Sequence, residues 1–303
     1  MNVFVWIFLY EIANFTYRFM FYPYREMREI EITSNSETLS ATLFENDSSE
    51  IVLIIASATG VKQEFYKKFA QYISDNGITV ITFDYYGIGS SLKKPITELK
   101  NNAADWGRND LESVLQFVKN NYPESKKIVL GHSIGGQLIG LAKSSEDLDK
   151  IVLVAAQSGY WKYWRGIGRL KMWFNWHILF PVLLNSFGYL NSKKISGMEN
   201  LPRNVANQWR NWGKNSDYIL SDESIKDTFY EKIKVDITAF SIEDDDFAPL
   251  AAVQWMTRQY KNAIKKSIHL KPEDFTSKKI GHFGVFKEKF RNTIWVQILN
   301  EIT

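Results

Sequence analysis

The sequence predicts an α/β fold, in which a mostly parallel central sheet is covered by helices on both of its faces. Short apolar runs, at residues 51–57, 79–83 and 150–154, alternate with amphipathic stretches that are long enough to form helices. A Gly-x-Ser-x-Gly turn stands between another such run and the helix that follows it. Strands that are apolar throughout are typical of parallel sheets, because helices cover both faces of the sheet.

The composition is that of a globular protein and excludes several functional classes. The 303 residues are 45% hydrophobic and 23% charged, with a net charge of +3. Charges of both signs are interspersed, so no basic stripe suits a nucleic-acid backbone. The chain has no cysteine, which excludes disulfides, thiolate metal sites and a Cys nucleophile. The length allows one large α/β domain, or one domain with an insertion.

The N-terminal segment, residues 1–26, is strongly apolar at its start. Glu11 and Arg18 interrupt it before it reaches the roughly 20 residues that a membrane-spanning helix needs, and it lacks the features of a signal peptide. One interpretation is a helix packed on the body of the protein. The other is peripheral membrane contact through residues 1–22, which carry aromatic side chains suited to an interface: Trp6, Phe15, Phe19 and Tyr22. We expect a cytoplasmic protein, with membrane association as the alternative.

The remaining elements follow in chain order. Residues 27–33 and 37–44 alternate apolar and polar side chains around Ser34-Asn35-Ser36, which predicts an antiparallel hairpin. Further strands are predicted at 51–57, 79–83, 127–130, 150–154, 236–241 and 266–270. Helices are predicted at 63–76, 106–121, 134–143, 250–262 and 285–300. These elements give an α/β core over residues 27–156 and 231–303.

Residues 157–230 interrupt this alternation with a helical insertion that is rich in aromatic residues. Neither junction carries a flexible Gly/Ser-rich or Pro-rich linker, which favours an insertion within one domain over a separate linked domain. Aromatic side chains at such positions most often form a core, but here they are also placed to line an apolar cleft. We expect three of them to contribute to a substrate pocket: Tyr160, Trp161 and Trp164.

The strongest functional motif contains Ser133. It is Gly131-His132-Ser133-Ile134-Gly135-Gly136 and lies between a predicted strand and a predicted helix. A serine hydroxyl becomes a nucleophile when a base takes its proton and the backbone exposes its oxygen. In this turn the glycines leave room for close packing, and the N–H of Ile134 points to where an oxyanion develops. The three fixed positions alone are a weak signal; their place between strand and helix makes them specific.

A general base must come from the four histidines, His132, His177, His269 and His282. His282 is favoured because it stands in a glycine-flanked loop between the last strand and the last helix. We expect the other three to serve packing or to lie on the surface. The base needs a carboxylate to orient it.

The acidic run after the strand at residues 236–241 supplies the carboxylate. An acidic run is usually a solvated surface, but this one follows the carboxyl end of a strand, where open sheets build their sites. Asp245 is the favoured acid, with Asp244 as the alternative. The order Ser, Asp, His along the chain fits this assignment.

With these motifs in place, the sequence resembles the α/β-hydrolase superfamily, and within it the serine-aminopeptidase-like group of predicted bacterial hydrolases. Other matching stretches are 58–61, 84–91, Trp106 with Asp110, 157–161, 244–249 and 281–284, and the resemblance covers roughly residues 35–300. It implies that Asp245 and His282 complete a triad with Ser133, that residues 157–230 form a cap, and that Val61 supplies the second oxyanion N–H.

The chain departs from the family pattern at two positions. Thr59 stands where many relatives have His, which leaves the oxyanion donor open by one residue, and Tyr86 replaces an Arg that is usually structural. Trp106 and Asp110 are interpreted as support for the upper edge of the sheet.

We therefore expect a serine hydrolase that cleaves an ester or amide of an apolar or acyl-bearing small molecule, without a cofactor or a metal. A non-catalytic binding protein of the same fold and an acyltransferase are the alternatives.

Overall fold

A computed structural model describes residues 27–303 of the chain, and the N-terminal segment predicted over residues 1–26 lies outside the described residues. The strands are β1 (Met27–Ser34), β2 (Glu37–Phe44), β3 (Ile51–Ala56), β4 (Thr79–Phe83), β5 (Lys126–His132), β6 (Lys150–Val154), β7 (Asp236–Ile242) and β8 (Lys265–Leu270). They form an eight-stranded sheet in the order β1-β2-β4-β3-β5-β6-β7-β8. The six strands from β4 to β8 in this order pair in parallel, which confirms the predicted fold class.

The hairpin at the start of the described chain confirms the prediction from alternation. β1 and β2 pair antiparallel from Met27 opposite Phe44 to Ser34 opposite Glu37. The two residues between the strands, Asn35 and Ser36, have φ of 45° and 71°. A two-residue turn with positive φ at both positions matches the twist of the strands that it joins.

The α-helices are α1 (Lys67–Asp75), α2 (Glu112–Asn121), α3 (Ile134–Leu138), α4 (Gly166–Phe174), α5 (Phe180–Phe187), α6 (Lys193–Ser196), α7 (Arg203–Lys214), α8 (Leu250–Gln259) and α9 (Ile294–Ile302). Several of these helices are preceded or followed by 3₁₀ or π-helical turns. Gln63–Tyr66 is a 3₁₀ turn before α1, Trp106–Leu111 is a π-helical turn before α2, and Ile139–Leu141 is a 3₁₀ turn after α3. No helix within residues 27–303 has the length and apolar character to cross a membrane.

The predicted helix over residues 285–300 is wrong in its first half. The structure has two 3₁₀ turns there, Gly284–Phe286 and Glu288–Phe290, and α9 begins only at Ile294. Phe286 and Phe290 are four residues apart, which resembles helical spacing. Phe286 instead packs edge-on against Phe69 of α1, with the ring centres 5.3 Å apart. Tertiary packing therefore decides the local conformation.

The core lies in two layers, one on each face of the sheet. Successive side chains of a strand point to opposite faces, so Ile54 of β3 packs in the layer that contains Trp106, while Leu53 and Ile55 pack in the layer that contains Trp295. All of these side chains are fully buried. Burying each aliphatic side chain contributes roughly 1.5–3 kcal/mol to folding, before the entropy cost. The sheet is thus a rigid platform for the loops at its carboxyl edge.

Trp106 and Asp110 connect the hairpin to the loop after β4. The Trp106 indole donates a hydrogen bond to the carbonyl of Tyr86 at 3.0 Å, and Asp110 accepts one from the Tyr86 N–H at 2.8 Å. Asp110 also accepts a bond from the Ser34 hydroxyl at 2.8 Å. Burial raises the pKa of Asp110 to about 7. These contacts fit the supporting role interpreted from the sequence.

Residues 157–230 follow β6, and within this range α4 to α7 and shorter helical turns are the regular elements. The segment contacts the core through backbone hydrogen bonds, including one from Glu199 N–H to Gly60 O at 2.7 Å and one from Phe229 N–H to Gly140 O at 2.7 Å. It is called the cap below.

Candidate active site

The turn between β5 and α3 holds Ser133 in a strained conformation. Its φ and ψ are 54° and −120°, a region that side-chain-bearing residues rarely adopt. Two flanking glycines make the turn possible. A Cβ at Gly131 would lie 2.4 Å from the Cα of Gly136, and one at Gly135 would lie 2.1 Å from the carbonyl oxygen of Ala56. The sharp turn therefore requires glycine at both positions, because any side chain there would collide with the neighbouring backbone.

A buried carboxylate–imidazole pair lies in the loops that follow β7 and β8. Oδ2 of Asp245 is 2.7 Å from Nδ1 of His282, and both side chains are almost completely excluded from solvent. Oδ1 of Asp245 accepts bonds from the N–H groups of Phe247 and Ala248, at 2.7 and 3.0 Å. The carboxylate is held in place by these bonds, so it fixes the orientation of the imidazole.

Asp244 contacts a different part of the same loop. Its two carboxylate oxygens accept bonds from the N–H groups of Ile280 and Gly281, at 3.0 and 2.9 Å. Of the two acids left open by the sequence, Asp245 thus contacts the ring of His282, and Asp244 binds the backbone that precedes it. The acidic run therefore holds the backbone of the loop before His282 through Asp244 and contacts the imidazole through Asp245.

His132, the residue before Ser133, connects three loops of the site. Its Nε2–H donates to the carbonyl of His282 at 3.0 Å, which leaves Nδ1 to accept a bond from the Tyr66 hydroxyl at 2.8 Å. The Tyr66 oxygen in turn accepts the N–H of Ala58 at 2.9 Å. Burial holds the pKa of His132 well below its usual value, so the ring is neutral. The sequence predicted a packing or surface role for this histidine and did not single out Tyr66.

The hydroxyl of Ser133 contacts the side-chain amide of Gln157, which follows β6. Its Oγ is 3.4 Å from both Oε1 and Nε2 of this amide, and Nε2 also donates to the carbonyl of Phe247 at 3.2 Å. The structure therefore brings Asp245 and His282 into direct contact, whereas the hydroxyl has Gln157 as its hydrogen-bond partner. Gln157 stood in a stretch that matched the family, but sequence reasoning gave it no role.

The loop after β3 carries the residues expected to complete an oxyanion site. The N–H of Val61 donates to the carbonyl of Ala58 at 3.1 Å, so this group is engaged within its own turn. The hydroxyl oxygen of Thr59 is buried and has no hydrogen-bond partner. Gly60 has a φ of 63°. Ile134 is the first residue of α3, where an N–H has no acceptor within the helix.

A cavity of about 480 Å³ lies between this loop, the cap and the loop of His282. Its lining is largely apolar, and its polar positions are Lys62, Glu64, Ser196 and Glu199. The lining also includes Gly60, Val61, Phe65, Met198 and Phe283. Ser133 is buried and is not among the lining residues.

The three aromatic residues expected to line a pocket do not line this cavity. Trp164 is buried, and its indole donates to the carbonyl of Asp246 at 2.7 Å. Tyr160 and Trp161 pack against each other edge-on, with ring centres 6.2 Å apart. Trp164 thus connects the cap to the loop that holds Asp245.

The other two histidines lie elsewhere. His177 stacks on Trp173 of the cap, and His269 of β8 lies 2.8 Å from the hydroxyl of Ser241. His269 is exposed. This second Ser–His contact lies near the carboxyl end of β7. Among the described residues, no three His, Asp or Glu side chains are grouped as a metal ion would require.

Solved structures with the same fold include several hydrolases. An esterase of Pyrococcus furiosus superposes with a TM-score of 0.58 at 18% identity, covering 91% of this chain and 90% of that chain. Est1E of Butyrivibrio proteoclasticus, solved with ferulic acid bound, gives 0.57 at 15% identity, covering 90% and 99%. The α/β hydrolase GrgF of a Penicillium species gives 0.61 at 16% identity, covering 91% and 98%. These likenesses are in fold.

The family itself is shown by the sequence. No curated protein matches the chain. A family model described as "Serine aminopeptidase, S33" matches residues 47–213, which is more than half of the chain and includes the strained turn. The chain is therefore an α/β hydrolase that belongs to the serine aminopeptidase S33 family.

Proposed function

We propose that this hydrolase cleaves a carboxylic ester or amide through an acyl-enzyme on Ser133, with His282 as the general base and Asp245 as its orienting carboxylate. The observation that carries the proposal is the buried 2.7 Å contact between Asp245 and Nδ1 of His282. It leaves Nε2 as the basic nitrogen of the ring. A carboxylate on one ring nitrogen and a nucleophile on the other is the arrangement that acyl transfer needs.

The position of His282 relative to the nucleophile is supported through its backbone. The carbonyl of His282 accepts a hydrogen bond from His132, and Ser133 is the next residue along the chain. A rotation of the Ser133 hydroxyl away from Gln157 would break only two long contacts, each of 3.4 Å. A contact of that length contributes little, so the hydroxyl is free to turn toward the imidazole when a substrate binds.

In the proposed mechanism, His282 takes the proton of Ser133 as its oxygen attacks the carbonyl carbon. The C–O or C–N bond of the substrate then breaks, and His282 returns the proton to the leaving group. Water, deprotonated by the same imidazole, attacks the acyl-enzyme and releases the acid. The N–H of Ile134 binds the oxyanion, together with a donor from residues 59–61. Each such donor contributes on the order of 3 kcal/mol.

We propose Val61 as the second donor, and this requires a small rearrangement of its turn. Its N–H is bonded to Ala58 in this structure, at 3.1 Å. An oxyanion is a stronger acceptor than a neutral carbonyl, so exchange of the partner is favourable in the transition state. The unpartnered Thr59 hydroxyl lies in the same loop.

We propose an apolar or acyl-bearing small molecule as the substrate. The cavity of about 480 Å³ supports this, because the phenyl rings of Phe65 and Phe283 and the side chain of Met198 contribute to its lining. Phe283 follows the proposed base directly in the chain. A chain of methylene groups placed there would leave water at a gain of about 0.8 kcal/mol for each buried group.

Labelling with a fluorophosphonate, which reacts with activated serines, tests the proposal directly. We expect labelling of the unmodified protein, and its loss in Ser133→Ala. Ser241→Ala is the matched control, because Ser241 is also buried and also contacts a histidine, at 2.8 Å. Labelling that survives in Ser133→Ala and disappears in Ser241→Ala would move the nucleophile to the second pair and end the proposal.

A panel of acyl esters and aminoacyl amides identifies the reaction. We expect Ser133→Ala to reduce turnover by about a million-fold, as losses of the nucleophile do in triad hydrolases. A protein that binds these compounds without labelling or turnover would instead be a binding protein of this fold. Partition of the acyl group to added alcohols in preference to water would identify an acyltransferase.

A further inference from the structure

One surface of the cap carries an unusual set of exposed apolar side chains. Residues 166–187 form a continuous helical stretch made of α4, a π-helical turn and α5. Ile167, Leu170 and Val182 expose 68%, 63% and 54% of their surface. We call the following set the apolar cap face: Ile167, Leu170, Trp173, Phe174, Ile178, Val182 and Phe187. Most are three or four residues apart, which keeps them on neighbouring positions of the helical surface.

The helix α4 has no buried residue, although five of its nine residues are large and apolar. A helix of this length is marginal in water unless packing stabilises it. The next turns are anchored by Trp176, which is 2% exposed and whose indole donates to the carbonyl of Gly159 at 3.0 Å. The fold thus fixes the position of α4 while leaving its side chains uncovered. Contiguous apolar surface of this kind marks an interaction site.

Charge indicates what covers this face. Residues 158–198 contain no Asp or Glu, but they contain six cationic residues. The net charge of this stretch is therefore +6, twice the +3 of the whole chain. The six are Lys162, Arg165, Arg169, Lys171, Lys193 and Lys194. Within residues 27–303, only Lys193 among them forms an ion pair, with Glu199.

We propose that the apolar cap face and its flanking cations dock on the surface of a membrane that contains anionic lipid. An interfacial helix places its apolar side chains among the upper acyl chains, while Lys and Arg stay at the level of the headgroups. Trp173 suits this boundary, because its ring is apolar and its N–H is polar. Acidic lipids attract each nearby cation, and no carboxylate within residues 158–198 opposes them.

A single fluorescent label tests the contact in the full-length chain. The chain has no cysteine, so Leu170→Cys carries a unique attachment point for an environment-sensitive fluorophore. Ile264→Cys is the matched control, because Ile264 is 72% exposed and directly precedes the amino end of β8, whereas the segment that carries the apolar cap face follows the carboxyl end of β6. With vesicles of phosphatidylcholine and about a third phosphatidylglycerol, we expect a blue shift from the label at 170 and none from the label at 264.

Charge-bearing substitutions test the energetics by vesicle co-sedimentation. We expect the double variant Leu170→Glu and Phe174→Glu to bind the anionic vesicles about a hundredfold more weakly, since each lost side chain costs roughly tenfold or more. Ile264→Glu, which adds the same charge elsewhere, should bind as the unmodified chain does. Vesicles of phosphatidylcholine alone, or a high salt concentration, should weaken binding because they remove the attraction to the cations.

Four results would overturn the proposal. The first is an unmodified chain that does not bind the vesicles, and the second is equal binding to neutral and anionic vesicles. The third is binding that the double variant retains, since the contact would then lie elsewhere. The fourth is a label at residue 170 that is already in an apolar environment before vesicles are added. If sedimentation velocity then shows a dimer, a second copy covers the face.

Discussion

Replacing Tyr66 with Phe removes one oxygen atom from the centre of the hydrogen-bond network beneath the site. That hydroxyl is fully buried, accepts the N–H of Ala58 at 2.9 Å and donates to His132 at 2.8 Å. Tyr66→Phe leaves both partners buried and unpaired. An unsatisfied buried group costs about 1–3 kcal/mol, so we expect the free energy of unfolding to fall by about 3 kcal/mol.

Tyr85 provides the matched control. Its side chain is 1% exposed, but its hydroxyl has no hydrogen-bond partner. Tyr85→Phe removes the same atom from an equally buried position and relieves an unpaired group, so we expect no loss of stability. Urea unfolding of both variants and the unmodified chain, followed by tryptophan fluorescence, measures the difference.

Activity gives a second measurement on the same pair. Because Tyr66 contacts His132, and His132 contacts the backbone of His282, we expect Tyr66→Phe to lower kcat more than it raises KM. Tyr66 acts here as a positioning residue. Equal stability of the two Phe variants, or a loss of less than about 1 kcal/mol in Tyr66→Phe, would refute the reasoning from the network.

Three further predictions follow from the site and its supports. Asp245→Ala should lower kcat by about ten-thousand-fold, as loss of the orienting carboxylate does in triad hydrolases, and esterase assays at saturating substrate would measure it. Gly135→Ala places a Cβ 2.1 Å from the carbonyl oxygen of Ala56, so we expect little folded protein by circular dichroism. Burial raises the pKa of Asp110 to about 7, above that of an unfolded chain near 4. Between these values unfolding releases a proton, so this group makes the protein less stable as the pH rises from 4 to 7. Asp110→Asn removes that dependence, and its unfolding free energy relative to the unmodified chain should therefore increase between pH 5 and pH 8. No such increase in urea titrations would contradict the assignment.

The strands of the sheet could be predicted well because each has a recognisable pattern in its own short stretch of sequence. The hairpin has an alternating pattern with a wet face, and β3 to β6 are apolar runs bounded by polar residues. Helix boundaries were harder to predict. The apolar spacing of Phe286 and Phe290 resembles a helix. Phe286 packs against Phe69 of α1 and Phe290 against Phe275, and the chain forms two 3₁₀ turns instead.

Some residues of the candidate site could be predicted from local sequence patterns, and others could not. Ser133 is signalled by its neighbours in the chain, because the glycines beside it are required by the backbone. His282 and Asp245 are signalled by their place after strands, and the structure brings them into contact. The roles of Tyr66 and Gln157 could not be predicted, because their partners are separated from them by 66 and 24 positions respectively. Only the folded sheet makes these residues neighbours.

The short distance between Gly60 and the cap has a consequence for how this protein can change. A Cβ at residue 60 would lie 3.0 Å from the carbonyl oxygen of Glu199 and 3.2 Å from the Cβ of Met198. The stretch around residue 60 and the stretch around residue 199 therefore share one steric constraint. A larger residue at position 60 is tolerated only if the backbone around residue 199 moves away from it, which would change the width of the cavity that both stretches line. A library that randomises both stretches together should yield altered substrate preferences that neither single library reaches.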